Sequence, residues 1–118
     1  MHNYKKLDVW NKAVDFATQI YSVTKNFPKD ELYGLTSQLR RASVSISSNI
    51  SEGAGRNSDK EFRQFLNISF GSCSEIETQL IISYKLGYLS EDYFASLTEE
   101  VISIQKILYK LIQNFLKS

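Results

Sequence analysis

The chain has 118 residues with 14 basic and 13 acidic side chains, a near-neutral balance at one-domain length. That balance is unlike the overall basic excess of a dedicated nucleic-acid binder, so an electrostatic partner has to be sought in how charge is distributed. The lone Cys73 excludes an internal disulfide and fits a reducing compartment.

Pro28 is the only proline, and it cuts the chain together with Gly53–Gly55 and Gly87. These breaks leave four segments of helical periodicity. The first is predicted over residues 8–26, where Val9, Ala13, Phe16, Ile20 and Val23 recur at helical steps beside a second stripe of Leu7, Trp10, Val14, Ala17 and Tyr21. The second, 29–53, carries Leu35, Leu39, Ala42, Ile46 and Ile50. Its serines make it a weak helix former held by packing, and Gly53 suits a left-handed cap after its last turn.

The third segment, 58–86, opens on Ser58 with Glu61, the spacing of a capping box. Phe62, Leu66, Ser69, Cys73, Ile76, Leu80 and Ser83 form its inward stripe, with Phe65, Ile68 and Ile82 on another. Gly71 in mid-helix predicts a packing reason, such as a large facing side chain, since glycine costs about 1 kcal/mol against alanine there. The fourth, 90–116, has Ser90 as N-cap and Leu89 with Phe94 spaced as a hydrophobic staple. Phe94, Leu97, Val101, Ile104, Leu108, Leu111 and Phe115 run unbroken, and Ile102, Tyr109 and Leu116 make a second stripe. Short loops make sequential helices antiparallel neighbours. The expectation is one all-α domain over 1–118, an antiparallel up-and-down four-helix bundle. The second stripes fit either a thick core or a subunit interface.

Catalytic chemistry is missing from the pattern. His2 is the only histidine and lies at a terminus expected to fray, so no triad base or Glu-x-x-His metal pair can form within the bundle. Gly53-Ala54-Gly55-Arg56 lacks the strand and lysine of a phosphate loop. Cys73, on the core stripe, reads as a buried inert thiol. The expectation is a non-enzyme with no cofactor, metal or small-molecule substrate. The polar N-terminus and the absence of a run near ~18 apolar residues point to a cytoplasmic protein without membrane contact.

Two polar groups remain. Arg40, Arg41, Asn49 and Glu52 flank the apolar stripe of the second helix, and the hairpin register sets Arg41 near Glu75. A structural network with an Arg41–Glu75 ion pair, or Arg40 in its place, is predicted. The second group appears once charge is folded onto the bundle. Residues 1–14, 43–70 and 105–118 share one end and hold nine basic against four acidic side chains. The rest of the chain holds five against nine. Helix dipoles account for acids at helix starts and for Lys110 near an end, but Lys5, Lys6, Lys12, Arg56 and Lys60 crowd positive charge near helix N-termini, where the dipole opposes it. Arg56, Lys60 and Arg63 are expected to share a face that follows a phosphate backbone. Lys5, Lys6, Lys12, Arg56, Lys60, Arg63 and Lys110 are the candidate nucleic-acid contacts, with an exposed aromatic such as Tyr4 available to stack on bases.

Several runs carry a resemblance: Leu7-Asp8-Val9-Trp10, Phe27-Pro28, Leu35-Thr36-Ser37-Gln38-Leu39-Arg40-Arg41-Ala42, Ser45 through Gly53 with its Asn49-Ile50-Ser51-Glu52-Gly53, and Gly71 through Leu80. Together they resemble the bacterial four-helix-bundle family of 23S rRNA-intervening-sequence proteins. The resemblance implies a ring-like homopentamer. It also implies kinship with accessory proteins of diversity-generating retroelements, which bind reverse transcriptase and RNA through a basic surface. Possible partners are thus copies of the chain and an RNA or ribonucleoprotein. Cys73 departs from the leucine-like residue expected at its position. A protein-binding assembly module without nucleic acid is the alternative reading.

Overall fold

The computed structural model describes residues 1–116, and the bundle expected from the sequence is what it contains. Four helices, α1 Asp8–Thr24, α2 Leu35–Ala54, α3 Asp59–Lys85 and α4 Glu91–Leu116, follow one another with short connections. Two single 3-10 turns, Tyr4–Lys6 and Lys29–Glu31, precede α1 and α2. The chain path alternates: Arg40 of α2 reaches Thr24 at the end of α1, Ser69 of α3 reaches Ile46 of α2, and Phe62 at the start of α3 meets Phe115 at the end of α4. Gln19 and Glu100 close the circuit between α1 and α4.

The core is the set of stripes that helical periodicity brings inward. Val9, Ala13, Phe16 and Ile20 of α1 meet Leu39, Ala42, Ile46 and Ile50 of α2, with Phe62, Leu66, Ile76 and Leu80 of α3 and Leu97, Val101, Ile104 and Leu108 of α4. In the last turns of α4 the core passes to Ile112, and Leu111 is only half-buried. The second stripes are divided: Ala17 is buried and Leu7 and Trp10 pack against the core, whereas Tyr21, Ile68, Ile82, Tyr109 and Leu116 are exposed.

Helix α1 ends at Thr24, two residues early, where its hydroxyl turns back to donate to the Ile20 carbonyl at 2.7 Å. Helix α2 starts six residues late. Residues 29–31 form only a 3-10 turn, Gly34 adopts φ −113° and ψ −118°, and the Glu31 carboxylate accepts the Leu35 N–H at 3.2 Å as a substitute cap. Gly53 is not a left-handed cap: it lies inside α2, which runs on to Ala54. The positive-φ residue among those described is Gly87, which ends α3. Ser58 caps α3 by accepting the Glu61 N–H at 3.1 Å, and Ser90 accepts from Tyr93 at 3.2 Å to start α4. Phe94 packs against the core and stacks flat on Tyr84 with ring centres 4.4 Å apart.

Gly71 also departs from expectation. A Cβ there would meet nothing within 4 Å, so no facing side chain explains it. Close approach occurs at Gly53 instead, where α3 presses Phe65 and Phe62 onto the α2 backbone.

Candidate nucleic-acid interface at one pole of the bundle

The alternating path brings the start of α1, the end of α2, the start of α3 and the end of α4 to one pole. The N-terminal segment seals it. The His2 backbone N–H donates to the Ala54 carbonyl at 2.8 Å. The His2 ring lies against Phe62 and Phe115, and its Nε2 is 3.2 Å from Asp59 Oδ1. His2 is thus anchored, contrary to the frayed terminus expected of it. Asn3 then caps the first 3-10 turn by accepting the Lys5 N–H, which fixes where Lys5 and Lys6 leave the backbone.

The candidate cations do not form one continuous face. Lys5, Lys6, Lys60 and Lys110 are exposed and Arg63 is half-buried. Among the described residues no carboxylate lies within 4 Å of any of them. Arg56 differs. It sits in the α2–α3 turn, donates to Glu52 at 3.0 Å and lays its guanidinium over the Phe65 ring at 4.8 Å. Phe65 is five residues past Lys60, about 140° around the helix, so Arg56 is held away from the Lys60–Arg63 side of α3. Lys12 is exposed and lines a groove between α1 and α4 together with Asp15 and Glu100, with no ion pair within 4 Å among the described residues. Lys117, counted at this pole from the sequence, lies outside the described residues.

Tyr4 does not supply the exposed aromatic. It is half-buried, edge-on to Trp10 with ring centres 5.1 Å apart. An aromatic does stand beside the cations elsewhere. Phe70 of α3 and Tyr109 of α4 lie with ring centres 6.5 Å apart in a groove flanked by Lys106 and Lys110. The signal was present in the spacing: Arg63 and Phe70 are seven residues apart, on one side of α3, and Tyr109 belongs to the second stripe of α4.

The polar set expected as one network is dispersed. No ion pair joins Arg41 to Glu75 within 4 Å, nor Arg40 to Glu75. Arg40 turns toward α1, donating to Thr24 Oγ1 at 2.9 Å with its guanidinium over Tyr21. Arg41 and Glu75 face each other across a cleft with Gln38, Ser45 and Ser72 between them. Glu75 accepts from Gln79 instead. Asn49 donates to Ser45, which meets Ser72 across the α2–α3 seam, and Glu52 serves Arg56. The hairpin register sets Arg41 and Glu75 on the same cleft. The failure lies in reach: Ser45 and Ser72 take the centre of the seam, and exposed guanidinium and carboxylate gain little by bridging it.

Cys73 is fully buried, and burial, with a further push from Glu77, raises its thiol from the ordinary 9.0 to about 12. A thiol so poor in thiolate is no nucleophile. Among the described residues no three metal-binding side chains cluster, and no helix is long and apolar enough to cross a membrane.

The fold and its polar pole define an all-helical bundle protein with a charge-asymmetric surface. A family profile described as 23S rRNA-intervening sequence protein matches residues 5–110, and the chain belongs to that family. The crystal structure of a protein of unknown function from the S23 ribosomal protein family of Bacteroides thetaiotaomicron VPI-5482 is similar to it. The TM-score is 0.83 at 25% identity, covering 89% of this chain and 95% of that one. No curated protein matches the chain.

Proposed function

We propose that the chain is a non-enzymatic, oligomeric, cytoplasmic protein that associates with RNA through its basic pole. One observation carries the reading: the bundle path gathers Lys5, Lys6, Lys60, Arg63 and Lys110 at one end with no carboxylate within 4 Å among the described residues. The molecule is 45 Å long, several times the ~8 Å screening length at physiological salt. The acidic residues of the far pole therefore do not cancel this field, and phosphates approaching it displace counterions at each contact. Arg56 plays a lesser part, since Glu52 pairs with it at 3.0 Å, and Lys12 shares its groove with Asp15 and Glu100.

Oligomerisation is supported by apolar residues left outside the core and outside the Phe70–Tyr109 groove, Ile68 and Ile82 among them, and by the open Arg41–Glu75 cleft. A homopentamer is the assembly that the family resemblance implies. Light scattering is expected to give about five times the chain's mass, and a monomer at micromolar concentration would refute assembly.

The test of the RNA reading is fluorescence anisotropy with a mixed-sequence RNA at about 50 mM salt, where phosphate contacts are strongest. Micromolar or tighter binding is expected. An absence of binding at that salt leaves the assembly-module reading, in which the charged poles steer a protein partner.

A further inference from the structure

The groove between α3 and α4 lies below the basic pole, near the middle of α3 at Phe70 and Ser74, and offers something a phosphate-binding surface alone does not need. Its walls are Phe70, Ile102, Gln105 and Tyr109, and its rim carries Lys106 and Lys110. Tyr109 is 55% exposed although it belongs to an apolar stripe. Beneath it the groove is fixed rather than loose. Gln105 Nε2 donates to Ser74 Oγ at 2.8 Å and to the Phe70 carbonyl at 3.4 Å, which ties α4 to α3 where the two rings meet.

Resting on the RNA reading above, we propose that this groove binds single-stranded RNA, with an unpaired base stacked on Tyr109 and the flanking phosphates on Lys106 and Lys110. The charge favours this occupant. Lys106 and Lys110 are one helical turn apart on the same face of α4, beside Tyr109 in the groove lining, and have no carboxylate within 4 Å among the described residues. Arg63 continues the positive charge along α3, two turns before Phe70. An aromatic face beside a row of cations is the pattern by which single strands are held without sequence readout, because every base has a π-face and each stack is sequence-tolerant. A duplex keeps its base faces covered and can use only the cations. The Phe70 and Tyr109 rings are tilted at 45°, so the base lies on the outer face of Tyr109 rather than between the two.

The experiment compares a 12-nucleotide single-stranded RNA with its duplex, at one salt concentration, on the full chain and its Tyr109→Ala and Tyr109→Phe variants. Tyr109→Ala is expected to weaken single-strand binding about tenfold or more, Tyr109→Phe to retain it, and neither to change duplex binding. A single strand carrying 4-thiouridine is expected to cross-link to Tyr109. If Tyr109→Ala binds the single strand as wild type does while Lys60→Ala/Arg63→Ala/Lys110→Ala binds weakly, the groove proposal is wrong and the basic-pole reading stands. If Tyr109→Ala lowers the mass in light scattering and leaves RNA affinity alone, the groove is a contact between copies and the proposal is again wrong. If no RNA binds at low salt, both fall.

Discussion

Gly53 of α2 lies so close to Phe65 of α3 that a Cβ on the glycine would stand 2.7 Å from the Phe65 Cβ and 2.8 Å from Phe62 Cδ1. The two helices come into close backbone approach here, just below the basic pole. Phe65 in turn supplies the ring on which Arg56 rests, so the approach of two backbones also decides where a cation stands.

Helix propensity alone predicts that Gly53→Ala stabilises by about 1 kcal/mol. The contact reverses the sign. The methyl would push α3 away or force Phe62 off its rotamer, a cost of about 1–3 kcal/mol, and neither the Phe65 Cβ, fixed directly to its backbone, nor the Phe62 carbonyl oxygen at 3.2 Å can swing aside. Thermal or urea denaturation of Gly53→Ala is expected to show a net loss of up to about 2 kcal/mol instead of a gain.

Gly71→Ala is the counterpart. A Cβ there meets nothing within 4 Å on an exposed helix interior, so propensity acts unopposed and the variant is expected to gain about 0.5–1 kcal/mol. A loss of stability in the same denaturation assay would show that a second surface closes on Gly71.

Glu31 acts as a clasp between α2 and the α3–α4 turn. One carboxylate oxygen accepts the Leu35 N–H at 3.2 Å and the other accepts the Tyr88 hydroxyl at 3.0 Å. That carboxylate also raises the Tyr88 pKa, the hydrogen bond being the main cause. Glu31→Ala removes a helix cap and a tertiary bond and is expected to cost about 1–2 kcal/mol by urea denaturation. Tyr88→Phe, which spares the cap, is expected to cost less. Equal losses would show that the cap contributes nothing.

These residues also mark what the sequence does and does not reveal. The four helices, their antiparallel order and the buried stripes are legible because a 3.6-residue period with sparse Gly and Pro admits few other packings. Pro28 does not start α2 because Gly34 and the Glu31 side chain set a later start, and the sequence gives no spacing rule for a cap supplied four residues upstream. Gly53 looks like a cap from its position near Gly55, and only the distance to Phe65 shows its packing role. The pole is legible in charge counts, whereas the departure of Arg56 and Lys12 from it depends on side-chain reach. Tyr4 and Tyr109 are indistinguishable as aromatics in sequence; Trp10 covers one and solvent leaves the other open.

Cys73 provides a pH test of the core. Its folded pKa of about 12 lies above the unfolded 9.0, so the folded state holds the thiol proton more tightly. The stabilisation is fully present below pH 9 and is lost as pH rises from 9 towards 12. Wild-type stability is expected to fall across that window more steeply than that of Cys73→Ala, and iodoacetamide is expected to label Cys73 only after unfolding. Rapid labelling of the native protein at pH 8 would contradict the burial.

The central claim is that the bundle path makes one pole, and not the other, the RNA-contacting surface. Its most direct test is the salt slope of RNA affinity for wild type, for Lys60→Ala/Arg63→Ala/Lys110→Ala at the basic pole, and for Lys25→Ala/Lys29→Ala/Lys85→Ala at the far pole. Each lost phosphate contact lowers the log–log slope by about 0.7–0.9. The basic-pole variant is therefore expected to lose about two units of slope while the far-pole variant keeps the wild-type value. Equal slopes for all three proteins, or a loss confined to the far-pole variant, would contradict the account.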